Sequence, residues 1–189
     1  MWNRRQFVAG AVAAGLGVAA ASPWGPARAK TAPVAQLQVP ENFHHQDWFQ
    51  KTSFDLRGDL AAAAKSGKML VTIWEQVGCT YCQQMHEVAF QRDDIVSIAK
   101  ANFHVIQMDM HGDRQFKGFD GKMVSESDLA SELQVRNTPT TQFFDAAGGE
   151  VFRMPGYAAP PLFRAVYRYV VAKGYETASL GAWIKQNGI

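Results

Sequence analysis

Met69-Leu70-Val71-Thr72-Ile73-Trp74-Glu75-Gln76-Val77-Gly78-Cys79-Thr80-Tyr81-Cys82 is the stretch on which the reading of this chain turns. Its first six residues are β-formers with only Thr72 polar, which suits a central strand covered on both faces. The two cysteines that follow are the only two in the 189 residues. Gln83 to Phe90 has helical character, so the strand runs into Cys79 and a helix departs from it. A sulfur at a helix N-terminus meets unpaired amides and a partial positive charge, both of which favour thiolate over thiol. Cys82 lies one turn inside and is expected to be the more buried. The spacing therefore suits a switch in which Cys79 attacks a disulfide and Cys82 resolves the mixed product.

Other uses of the pair fare less well. A disulfide closing a two-residue gap restrains the unfolded chain little, so a purely structural role is a poor fit. A zinc site would need two more ligands, and only histidines remain. His86 shares a helix face with both cysteines, but it stands about 10 Å along the axis from Cys79. His44, His45, His104 and His111 are scattered through the sequence and are read as packed or solvated. No metal and no cofactor beyond the cysteine pair is expected.

Outward from this stretch, Asp55 to Ser66 reads as a helix stopped by Gly67. A helix starting at Asp93 or Asp94 and running to Ala101 is followed by a strand at Phe103 to Met108. His111 to Lys122 reads as a polar, Gly-rich surface insertion, and Ser125 as the cap of a further helix. Gln142–Phe144 and Glu150–Arg153 flank Ala146-Ala147-Gly148-Gly149 as a hairpin. Pro160 or Pro161 opens an amphipathic helix to Val171, and a small helix is expected over Gly181 to Asn187. The order implies an α/β fold with a mixed central sheet flanked by helices. Asn137-Thr138-Pro139-Thr140 precedes the hairpin, and Pro139 alone could be an ordinary trans proline at a loop–strand junction.

Composition is that of a globular domain, 47% hydrophobic and 19% charged. The net charge of +2 is local in origin, because Arg4, Arg5 and Arg28 lie in a first stretch of 29 residues with no acid. The remainder is near neutral, which removes the main support for a nucleic-acid partner. Residues 1–29 read as a signal peptide: Arg4 and Arg5, an apolar run from Phe7 to Ala21, and Ala27-Arg28-Ala29 before cleavage after Ala29. The Asn3-Arg4-Arg5-Gln6-Phe7-Val8 run is twin-arginine-like. Export to the periplasm is the expectation, with 30–50 as a linker and 51–189 as the folded domain.

The strand, the Gly-Cys-Thr-Tyr-Cys segment and the later Thr-Pro-Thr together resemble the thioredoxin superfamily over about residues 55–172. That resemblance implies a thioredoxin-like fold and thiol–disulfide oxidoreductase activity. It also implies a cis Pro139 lying against the cysteines, and Thr138 backbone groups pairing with an extended substrate. More narrowly, Trp48-Phe49, Ser53-Phe54-Asp55-Leu56, Trp74-Glu75-Gln76, Met85-His86-Glu87 and the tail from Tyr175 to Ile184 resemble SoxW-type periplasmic thioredoxins of bacterial sulfur-oxidising systems. This narrower likeness implies a reductase of protein disulfides or persulfides, itself kept reduced by a membrane thiol-electron conduit. A monomer is expected. Within the same chemistry an oxidase or isomerase remains open, as does a thiol-based metal carrier on the same fold.

Two departures from thioredoxin matter. Thr80-Tyr81 replaces the Gly-Pro between the cysteines, which leaves the redox potential open. Tyr81 could stack on a substrate or cover the sulfur. The buried acid that thioredoxin carries six residues before its first cysteine is Ile73 here. Glu75 is then the nearest candidate proton carrier for Cys82, although a glutamate at a strand end is more often solvated.

Overall fold

The computed structural model describes residues 42–189; the expected signal peptide and residues 30–41 lie outside the described residues. The first helix, α1 (Leu56–Lys65), begins where the Asp55 carboxylate accepts the N–H groups of Arg57 and Gly58. It ends at Ser66, and Gly67 at φ 67° turns the chain into β1 (Met69–Glu75). From Leu70 onward β1 is buried on both faces. There follow α2 (Thr80–Glu87), a 3₁₀ turn at Ala89–Gln91, α3 (Asp93–Asn102) and β2 (Phe103–Asp109). The short strands β3 (Gln115–Lys117) and β4 (Met123–Ser125) lead to α4 (Glu126–Glu132). The hairpin β5 (Thr140–Phe144) and β6 (Glu150–Pro155), then α5 (Pro160–Val171) and α6 (Leu180–Asn187), complete the domain.

The four long strands form one mixed sheet in the order β2-β1-β5-β6. β1 pairs parallel with β2 and antiparallel with β5, and β5 pairs antiparallel with β6. Because side chains alternate across a strand, β1 feeds two cores. Val71 and Ile73 join Met85, Ile95, Phe163 and Tyr167 under α2, α3 and α5. Leu70 and Trp74 join Leu56, Met108, Phe116 and Leu129 under α1 and α4. Each such side chain, once fully buried, contributes about 1.5–3 kcal/mol. The α/β/α layering agrees with the fold read from the sequence.

Three boundaries differ from expectation. The helix departs from Cys79 as expected, but it ends at Glu87 and gives way to a 3₁₀ turn where helix to Phe90 was expected. The helix expected to be capped by Asp93 or Asp94 has Arg92 at its cap, with both acids in the first turn where the helix dipole favours them. The supposed surface insertion folds as the β3–β4 pair, and it drives Phe116 to 0% exposure and Arg114 to 8%.

Residues 42–50 are also not a free linker. Phe49 is buried, Trp48 packs edge-on to Phe49 and Phe90, and the Gln50 N–H donates to the Val105 carbonyl at 2.7 Å. This segment straps the α2 side of the domain.

Candidate redox site

The C-terminal end of β1 delivers the chain through Gly78, at φ 75°, to Cys79 at the head of α2. Cys79 and Cys82 are joined in a disulfide. Their environments differ: Cys82 is 1% exposed, while Cys79 is half-buried at the surface. The Cys79 sulfur caps the helix by accepting the Cys82 N–H at 3.1 Å. Thr80 and Tyr81 are both exposed, Tyr81 at 61%, so neither side chain covers the pair from solvent.

Thr140 is the register partner of Trp74, so the start of β5 lies beside the end of β1. That pairing brings the Asn137–Thr140 loop to the cysteines across a long sequence gap. The Thr138 hydroxyl donates to Cys79 Sγ at 3.3 Å, and the Thr138–Pro139 peptide is cis. Pro139 is buried and its carbonyl accepts the Gly156 N–H at 2.7 Å, while the Thr140 hydroxyl bonds the Asn137 carbonyl at 2.7 Å. The first tie joins the loop to the end of β6, and the second closes the loop on itself. Cys79, Cys82, Thr138 and Pro139 therefore converge, with Thr80 and Tyr81 on the exposed rim.

Glu75 corrects the expectation of a solvated strand-end acid. It is 1% exposed, because the strap covers it. His86 Nε2 lies 2.9 and 3.1 Å from its two carboxyl oxygens, and Gln107 Nε2 donates to Oε1 at 2.8 Å. Gln46 Nε2 reaches His86 Nδ1 at 3.2 Å, and His45 Nδ1 lies 3.3 Å from Gln107 Oε1. The His44 ring is 5.8 Å from that of His86. His44 and His45, read as scattered, are thus gathered beside His86 by the strap, and no spacing rule connects positions 44–46 with 86. The one available signal was the helical phase shared by Cys82 and His86, which puts both on the face turned to the sheet.

Trp74, on the opposite face of β1, packs beneath the site and donates its indole N–H to Gln142 Oε1 at 2.6 Å. Among the described residues no group of three or more His, Cys, Asp or Glu side chains is placed to hold a metal ion.

A family model described as a thioredoxin-like domain matches residues 56–171. The chain belongs to the thioredoxin-like domain family. None of the curated proteins compared is a match to it. Among solved structures, it is similar to a thioredoxin from Thermus thermophilus, with 27% identity and a TM-score of 0.51 over 62% of this chain and 84% of that one. It is also similar to a thioredoxin-fold protein from Helicobacter pylori, with 21% identity and a TM-score of 0.56 over 64% of this chain and 84% of the other. This thioredoxin-like domain combines a thiol–disulfide oxidoreductase fold with a disulfide at C-x-x-C spacing. Chemically, such a half-buried sulfur bonded to a buried one can open and close by exchange through the outer atom alone.

Proposed function

We propose that this protein is an exported thiol–disulfide reductase of the periplasm. Its substrates are protein disulfides or cysteine persulfides linked to sulfur metabolism, and a membrane thiol-electron conduit keeps it reduced. The observation that carries the reading is the contact of the Thr138 hydroxyl with Cys79 Sγ beside Pro139. In this reading an extended substrate pairs with the Thr138 backbone beside the outer sulfur at the head of α2.

In the reduced protein the Cys79 thiolate attacks a substrate disulfide, forming a mixed disulfide and releasing one substrate thiolate. Cys82 then loses its proton, attacks Cys79 Sγ and expels the second substrate thiolate. The electrons come from the two cysteines, and no other cofactor is needed. Glu75 is the proton carrier in this reading. Export rests on the residues 1–29, and the sulfur-metabolism link on the resemblance to SoxW-type thioredoxins carried by Trp74-Glu75-Gln76 and Met85-His86-Glu87.

Direction of electron flow follows the reduction potential. Equilibration in glutathione and dithiothreitol buffers tests it: a potential more negative than about −250 mV supports the reductase, and one near −120 mV makes the protein an oxidase. With Cys82→Ser, mixed disulfides on Cys79 should accumulate in the exporting compartment and name the substrate. Equal trapping by Cys79→Ser would sink the assignment of Cys79 as nucleophile.

A further inference from the structure

The contacts around Glu75 set which atoms donate and which accept in the two carboxamides and the His86 ring. Gln46 Nε2 faces the His86 backbone carbonyl at 3.4 Å as well as His86 Nδ1. A carbonyl only accepts, so the Gln46 atom is the amide nitrogen and His86 Nδ1 must be an acceptor. The single ring proton of His86 therefore sits on Nε2 and points at Glu75. Gln107 is fixed in the same way, since its Nε2 faces the His44 carbonyl at 2.6 Å as well as Glu75 Oε1 at 2.8 Å. Among the described residues, the side chains that reach Glu75 all turn donors towards it. Oε1 takes the shorter His86 contact and the Gln107 N–H, whereas Oε2 takes only the 3.1 Å branch from His86. Oε2 keeps room for a proton.

We propose that His86 is a positioning residue for resolution of the mixed disulfide. Locked as the Nε2–H tautomer by Gln46, it holds Glu75 with Oε2 free to take the proton that Cys82 sheds. This rests on the exchange chemistry proposed above. In the step, the Cys82 S–H proton passes to Glu75 Oε2, and the sulfur's electron pair forms the bond to Cys79 Sγ. The bond from Cys79 to the substrate sulfur breaks, and the leaving thiolate keeps its electrons. Val71, Ile73 and Glu75 share the sheet face that α2 covers, and Cys82, Met85 and His86 form the matching face of that helix. Among the described residues, His44 and His45 on the strap are further titratable groups beside the pair, and Asp109 is the register partner of Glu75 on β2.

The test uses the reduced full chain and 5,5′-dithiobis(2-nitrobenzoate), from pH 5 to 9. The first release of nitrothiobenzoate reports attack by Cys79, and the second reports resolution by Cys82. His86→Leu is expected to slow the second release about 100-fold and to change its pH profile, with the first release unchanged. His86→Gln, which keeps an N–H donor at similar reach, should stay within about threefold of the parent, and Gln46→Leu should slow the second release about threefold to tenfold. In a Glu75→Gln background, His86→Leu should add nothing. The positioning role is overturned if His86→Leu slows both releases alike, keeps the parent pH profile, or adds its full effect to Glu75→Gln. A parent chain that gives no second release would overturn the exchange reading itself. An oxidase-like potential, by contrast, would change only the direction of flow and leave this role standing.

Discussion

Glu75 and Glu126 are both sealed from solvent, at 1% and 0% exposure, yet they are held by partners of opposite kinds. Glu126 accepts Arg114 Nε at 2.7 Å, a second guanidinium N–H, and the Asp109 backbone N–H at 2.7 Å. The guanidinium lies against the Phe54 and Phe116 rings. Arg114 is always charged, so this pair is a staple that ties the β3–β4 excursion to the end of β2. Among the described residues Glu75 has no Lys or Arg in its network, which consists of the His86 imidazole, the Gln107 carboxamide and, behind the imidazole, the Gln46 carboxamide. The first arrangement fixes a loop excursion to the sheet, while the second ties the strap, β2 and α2 together around the end of β1.

Breaking the staple should give the largest effect. Arg114→Leu leaves Glu126 buried without its cation and should cost about 3–5 kcal/mol in urea unfolding. A loss below about 1 kcal/mol would dissolve the contrast between the two acids. His86→Leu removes only neutral donation to Glu75 and should cost about 1–3 kcal/mol by the same measurement.

A finer test uses pH. Burial pushes the Glu126 carboxyl above its ordinary value, against the opposing pull of Arg114. A raised folded-state value contributes stability below the unfolded value, and that contribution is lost as pH rises through the folded one. The stability of the parent relative to Glu126→Gln should therefore decline as pH increases from about 4.5 towards neutrality. A rise over that interval would mean that Arg114 outweighs burial.

Much of this was legible in the chain. β1 announced itself because six apolar or β-branched residues in a row have few other uses, and the cysteine pair marked the strand-to-helix turn. The hairpin and α5 carried turn glycines and a clear amphipathic face. The β3–β4 pair was not legible, because three-residue strands are too short to display a period and Phe116 alone reports their buried side. The strap was hidden by its polar composition. Only Trp48 and Phe49 hinted that residues 42–50 pack, and they were absorbed into a linker. Glu75 was misjudged for a related reason: a strand end is open to water only until another segment covers it, and the segment that does so lies about thirty residues earlier.

The strap has a consequence for association as well. Sheets offer unpaired N–H and C=O groups along their outermost strands, which are templates for pairing with a second chain. Here β6 ends in Pro155 and carries Arg153 clamped to Glu150 and to the Leu133 and Gln134 carbonyls, which makes that side a poor template. On the other side, Gln50 bridges in parallel to Ile106 and occupies the Val105 carbonyl. A chain shortened beyond Gln50 would bare the outer rim of β2 together with the apolar surface that Trp48 and Phe49 cover. Such a chain should self-associate more readily than the longer one, as a concentration series of both in size-exclusion chromatography would reveal.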